Sequence, residues 1–192
     1  RAELLAAKEF AARQLDGLYD RRLGGFGEFQ KYPLAPPVEE LFRRARSDDD
    51  RDALARAEQT LDGYARLNDP VFGGLYQYSV PRSWDAPHFE KLGLVQAGAI
   101  TAFAEAAAFS DRDQRLAVAD SVRRYVDRFL RRPDGAFAAT QDADLGRAGG
   151  PPLLGADYYA LAAPERLKLG VPRIDPAAYA DVNGALIEAY IA

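Results

Sequence analysis

A glycine–aromatic loop returns three times in this chain, and that recurrence constrains the fold more than any single motif. The loops read LGGFGEFQKYP, DPVFGGLYQYSVPRSWDAP and RRPDGAFAATQDADLG, with glycines roughly 50 to 60 residues apart. An amphipathic stretch precedes each loop. Leu4, Ala7, Ala11, Leu15 and Leu18 share one helical face before the first. Leu54, Ala57, Leu61 and Tyr64 do so before the second, and Val118, Val122, Tyr125, Val126 and Phe129 before the third. A more apolar helix follows each loop. PPVEELFRRA carries its prolines at the start, where a missing N–H costs least. The stretch from Phe89 to Phe109 is apolar or small on nearly every face, which predicts burial all round. The third is the Ala-rich stretch from Pro176 to Ala192. Asp48 to Asp50 predict an N-cap for a helix running to about Leu67. Ser110 with Asp113 predicts a capping box, with Asp in place of Glu.

The repeats, about 1–46, 48–109 and 110–192, read as one helical domain. Outer helices with one apolar face and inner helices covered on most sides make a two-layer all-α array, with the loops gathered at one rim. Tyr32, Trp84, His88 and Asp142 are then expected at the same end. A plain helical solenoid with turn glycines fits the same pattern. Against it, the loops are long and loaded with aromatics, amides and carboxylates, as functional loops are.

Charge and composition exclude several classes. The 25 basic and 29 acidic side chains give a net charge of -4 without a basic patch, so nucleic acid is not an expected partner. No uncharged apolar run approaches the roughly 20 residues of a membrane-spanning helix. There is no cysteine, hence no disulfide, thiol chemistry or thiolate metal site. Methionine is also absent, and the chain opens on Arg1 inside an apparent helix. It reads as a piece of a longer chain, with a cytoplasmic location expected.

The segments GGFGEFQKYP, FGGLYQYSVPRSWDAPHFEK, DGAFAATQDAD and IDPAAYADVNGALI, in that order, resemble the helical domain of the thioredoxin-domain-containing family that includes spermatogenesis-associated protein 20. The combination of W-x-x-PHFEK with QDAD is specific. The resemblance implies an (α/α)6 toroid of the six-hairpin glycosidase type, similar to N-acylglucosamine 2-epimerase and cellobiose epimerase. About three hairpins would be present, as a partial toroid, with a thioredoxin-like redox domain attached upstream. The chain departs from the family pattern at Tyr76-Gln77, Pro81, Leu94-Val95 and Val182, where polar or aromatic pocket residues are replaced.

The loop SWDAPHFEKLG holds the only tryptophan and the only histidine of the chain. His88 is expected at the N-terminus of a buried helix, where the helix dipole favours a neutral imidazole able to act as a base. A sugar epimerase needs a base to remove the proton α to an open-chain carbonyl. A glycosidase needs two carboxylates at a set separation. Candidate catalytic residues are therefore His88, Glu90, Asp85 and Asp142. With one histidine, a two-histidine epimerase mechanism cannot be completed within this chain. Trp84 and Tyr78 can stack on sugar faces or pack the rim. Asp142 and Asp144 can contact a ligand or bond loop N–H groups. Lys31 is a candidate ligand contact, also placed to neutralise an acid of the neighbouring loop, and Lys91 is expected to pair with Glu90 or a solvent-side acid. Gln141 and Asn183 complete the candidate ligand contacts. No cluster at ligand spacing supports a metal, and no cofactor is expected. The functional expectation is a carbohydrate-active helical toroid, epimerase- or glycosidase-like. The alternative is a non-catalytic helical domain that binds a ligand or partner beside the redox domain.

Overall fold

A computed structural model describes residues 2–191. The helices are α1 (Ala2–Leu18), α2 (Ala35–Ser47), α3 (Arg51–Ala65), α4 (Gly93–Ala106), α5 (Arg112–Tyr125), α6 (Gly155–Tyr159), α7 (Ala163–Leu169) and α8 (Ala180–Ala189). A single π-helical turn, Val126–Leu130, extends α5. Five two-residue strands lie in the loops: β1 (Tyr78–Ser79), β2 (Pro87–His88), β3 (Lys91–Leu92), β4 (Thr140–Gln141) and β5 (Ile174–Asp175).

The most apolar helix sits at the centre. α4 packs against α2 and α8 in its own layer and against α3 and α5 in the other. Its buried face includes Ala97, Ala99, Ile100, Ala102, Phe103 and Ala106. Small residues let its neighbours close in: a Cβ at Gly98 would lie 2.6 Å from the Ala35 Cβ of α2. A single core runs from Val38, Leu41 and Phe42 through Leu61 and Phe103 to Val122, Tyr125 and Leu186. A smaller cluster of Tyr76, Leu145, Tyr158 and Tyr159 stands apart from it.

The capping expectations divide. The Asp50 carboxylate accepts from the Ala53 N–H at 3.0 Å and caps α3, as the sequence predicts. The Ser110–Asp113 box does not form. Asp111 takes the N-cap position of α5 in a left-handed turn, φ 44°, without a side-chain cap, and the Ser110 hydroxyl donates to Glu58 instead. The helix expected from Phe89 begins only at Gly93, because Pro87–His88 and Lys91–Leu92 are drawn into β2 and β3.

The loop recurrence is a recurrence of hydrogen bonds. Asp20 N–H donates to Gly25 O and Gly24 N–H to Asp20 O; Asp69 N–H donates to Gly74 O and Gly73 N–H to Asp69 O. Arg132 and Gly135 repeat the turn in the third loop. The bridges Tyr19↔Phe26, Asn68↔Leu75 and Arg131↔Phe137 close each loop at its base. Gly25 and Gly74 adopt φ of 77° and 80°, which only glycine takes at no steric cost. Each also leaves room for a large ring, Trp84 over Gly25 and Tyr125 over Gly74. Successive loops are stitched edge to edge: Lys31 pairs with Ser79 of the next loop, and Lys91 with Gln141 of the one after. β4 pairs in turn with β5. This stitching gathers the loops at one rim.

Candidate functional site

Two lysines that the sequence offers as ligand or surface groups turn out to hold the rim together. Lys31 is fully buried; its Nζ donates to the Asp20 carboxylate at 2.7 Å and to the carbonyls of Gly24 and Gly27. The acid thus belongs to the lysine's own loop, not to a neighbouring one. Lys91 repeats the arrangement, donating to Asp69 at 2.9 Å and to Gly73 O at 2.7 Å. Its partner is the buried Asp69 rather than Glu90 or a solvent-side acid. Each lysine locks a glycine turn whose inward carbonyl has no other donor close by.

The second lock has an added member. Arg166 of α7, fully buried, places its Nη1 3.0 and 2.8 Å from the two Asp69 oxygens, and its other nitrogens donate to Tyr159 O and Leu161 O. The rings of Tyr76, Tyr125 and Tyr159 surround the Lys91 ammonium at 4.4 to 5.2 Å. Burial pushes the Lys91 pKa down to about 8, with the Arg166 charge adding to the effect and Asp69 opposing it. Burial alone would raise the Asp69 carboxyl, but the Lys91 charge and hydrogen bond hold it below the usual carboxylate range.

Above these locks runs a row of rings. Tyr32 and Tyr78 lie 4.7 Å apart, and the exposed imidazole of His88 stacks on Tyr78 at 4.2 Å and 16°. The row follows from pairing, since Tyr78 and His88 are directly opposite in the β1–β2 ladder. Beside it a cleft of about 310 Å³ is lined by His88, Phe89, Glu90, Asp144 and Gly155. Glu90 Oε2 is shielded there without a hydrogen-bond partner among the described residues. Asp144 Oδ1 accepts from the Gly155 N–H at 2.7 Å, which fixes the far wall. A larger hollow of about 600 Å³ between α2, α4 and α8 is mostly apolar and lacks the histidine.

The remaining candidates are placed elsewhere. Trp84 is 2% exposed, wedged against Gly25 and Gly63, and its Nε1 donates to Leu23 O at 2.9 Å, so its faces are covered by protein. Asp85 points outward and pairs with Arg66. Asp142 is half-exposed on Arg173 and does not line the cleft, although its neighbour Ala143 does. Gln141 is buried, accepting from the Tyr125 hydroxyl at 3.0 Å. Asn183 accepts from Phe137 N–H at 2.8 Å and donates to Phe137 O, clamping the third loop as Gln96 clamps Leu75 in the second. His88 lies in β2, ahead of a helix whose N-cap is Leu92, so the helix-dipole argument does not reach it. Sequence reasoning missed Asp69 and Arg166. A signal existed for the first: Asp20 and Asp69 both precede a Gly-Gly pair at the same spacing.

No family model matches the chain. It is 35% identical over 139 residues to spermatogenesis-associated protein 20 of Homo sapiens and 34% identical over 139 residues to that of Mus musculus. Each alignment covers 69% of this chain, and the chain spans only 18% of those relatives. Among solved structures, cellobiose 2-epimerase from Spirochaeta thermophila superposes with a TM-score of 0.60 at 17% identity, covering 100% of this chain and 54% of that one. Cellobiose 2-epimerase from Bacillus thermoamylovorans gives 0.56 at 16% identity, covering 67% and 37%. At such identities the likeness concerns the fold, which is that of a helical toroid. The chain belongs to the family that includes spermatogenesis-associated protein 20, and it is folded as part of a six-hairpin toroid.

Proposed function

We propose that the rim binds a carbohydrate-like ligand, and that His88 and Glu90 form the acid–base pair of an epimerase-like or glycosidase-like site in a cytoplasmic protein. One observation carries this reading: the chain's only imidazole and Glu90, whose shielded Oε2 has no hydrogen-bond partner among the described residues, line the same open cleft. Buried polar atoms are normally satisfied, so an unpartnered carboxylate oxygen on a residue that lines a cleft is suited to a ligand hydroxyl. His88 ends the row Tyr32–Tyr78–His88 and is the ring of that row that lines the cleft, where a sugar can pack against it. In an epimerase-like reaction His88 would take the proton from the carbon α to an open-chain carbonyl. A proton would be returned to that carbon by a protonated acid, the role proposed for Glu90.

A non-catalytic reading has its own support. Tyr76 and Val182, which depart from the family pattern, are packed into the interior rather than presented to the cleft. On that reading the rim binds a ligand or partner for an attached thioredoxin-like domain. His88→Asn and Glu90→Gln in the full-length protein separate the two. If His88 is the base, Asn lowers turnover on epimerisable or glycosidic sugars by roughly 10²-fold with melting unchanged. Sugar binding without turnover by the wild type, with both variants still folded, supports the binding reading. No stabilisation by any sugar in a mono- and disaccharide panel removes the enzymatic reading and sugar binding alike, and leaves partner binding.

A further inference from the structure

The two locks differ in one respect that their shared geometry does not require. Asp20 and Lys31 close the first glycine turn by themselves. Asp69 and Lys91 close the second in the same way, yet Asp69 also receives Arg166 from 97 residues along the chain. The first lock shows that the carboxylate–lysine pair needs no arginine. Arg166 therefore serves the segment that carries it.

That segment, residues 153–170, is inserted within the third repeat, between its loop and α8. It holds α6 and α7 and packs through the small cluster of Tyr158 and Tyr159 on Tyr76, not through the main core. Tyr159 also lies parallel on Phe89, with ring centroids 5.1 Å apart. Leu154, Leu167 and Leu169 are exposed. Glycines flank the segment: Gly149 and Gly170 have positive φ, and an added Cβ at either meets nothing within 4 Å. Its first turn, at Gly155, forms one wall of the cleft that holds His88 and Glu90. Its start is tied to the third loop by two backbone hydrogen bonds between Leu153 and Leu145 and by the Gly155 N–H to Asp144; beyond that base, Arg166 is its ion pair to the body of the protein among the described residues, and the guanidinium's other hydrogen bonds stay within the segment.

We propose that residues 153–170 form a strap over the cleft, that the Arg166–Asp69 pair is its latch, and that the strap opens as a unit while Lys91 keeps Asp69 paired. A releasable latch must leave no orphaned charge behind. Here the departing arginine enters water, and the carboxylate that remains is still bonded to its lysine, as Asp20 is throughout. Gating of ligand entry by the strap rests on the reading of the cleft as a ligand site; the opening itself does not.

Amide hydrogen exchange on the full-length protein tests the latch without any ligand. In the wild type, low denaturant should reveal a separate opening in which amides of 153–170 exchange faster than those of α3 and α4. Arg166→Met, which keeps an apolar stem against Phe72 and Tyr158, should accelerate exchange in 153–170 by roughly 10-fold or more and leave α3 and α4 unchanged. Unchanged strap exchange in this variant would overturn the latch. Equal acceleration in α3 and α4, or loss of folding, would show Arg166 to be a core residue and overturn it too. So would a wild-type strap that opens only with global unfolding. A latch that behaves as expected in a protein that binds no sugar would sink the ligand reading alone.

Discussion

Asp69→Ala is expected to cost about 3–5 kcal/mol or to prevent folding, because it strands Lys91 and Arg166 in the interior without a counter-charge. Asp20→Ala in the equivalent lock should cost distinctly less. Its carboxylate is partly exposed, only one cation depends on it, and Lys31 retains the carbonyls of Gly24 and Gly27. Denaturant midpoints of the two variants measure the difference, and similar small losses would contradict the assignment of Asp69 as the hub of the second loop. The same pair sets the response to acid. The Asp69 carboxyl sits below its ordinary 3.8, so its contribution is complete above that pH and is lost as pH falls through the lowered value.

Alkali should unfold the protein more steeply than acid. Tyr64, Tyr76, Tyr125 and Tyr159 all have phenols raised above the ordinary 10.0, in each case chiefly by burial. Above pH 10 the unfolded chain loses these protons and the folded chain keeps them, so stability falls as pH rises. Each phenol contributes about 1.4 kcal/mol per pH unit, and the group of them roughly 5. Lys91 acts in the opposite sense: its pKa of about 8 against an ordinary 10.5 makes the folded state gain between those values and contribute no further slope above them. One lysine cannot offset several tyrosines above pH 10. The phenolate absorbance of these four buried rings and the helical circular dichroism should therefore change together in a single transition. Independent titration of the phenols near pH 10 with the helices intact would contradict the buried tyrosine core.

The helical architecture was legible because hydrophobic periodicity reports directly on which faces are buried. The even, small-residue composition of α4 marks it as the central helix, and Asp50 marks the start of α3. The glycine loops were legible as a recurrence, but their chemistry was not. Lys31 and Trp84 look like ligand groups in a loop rich in polar and aromatic residues. What turns them inward is the pairing between loops and the space left by Gly25 and Gly63, which depend on residues far apart in the chain. Arg166 was invisible for the same reason, since nothing local distinguishes it from an exposed helix arginine. His88 and Glu90 line one cleft because they are near neighbours in sequence. Asp85 and Asp142 share their chemistry but are drawn away by Arg66 and Arg173.

The claim that the rim cleft is a ligand site can be read from a single side chain. His88 is the only histidine between residues 1 and 192, exposed and stacked on Tyr78. In the full-length protein its imidazole resonances can be assigned by difference against His88→Gln. Titration with mono- and disaccharides should shift those resonances saturably, and Glu90→Gln should weaken the apparent affinity by roughly 10-fold, the loss of about one charge-assisted hydrogen bond. Resonances of His88 that stay fixed while a sugar binds elsewhere on the protein would contradict the site.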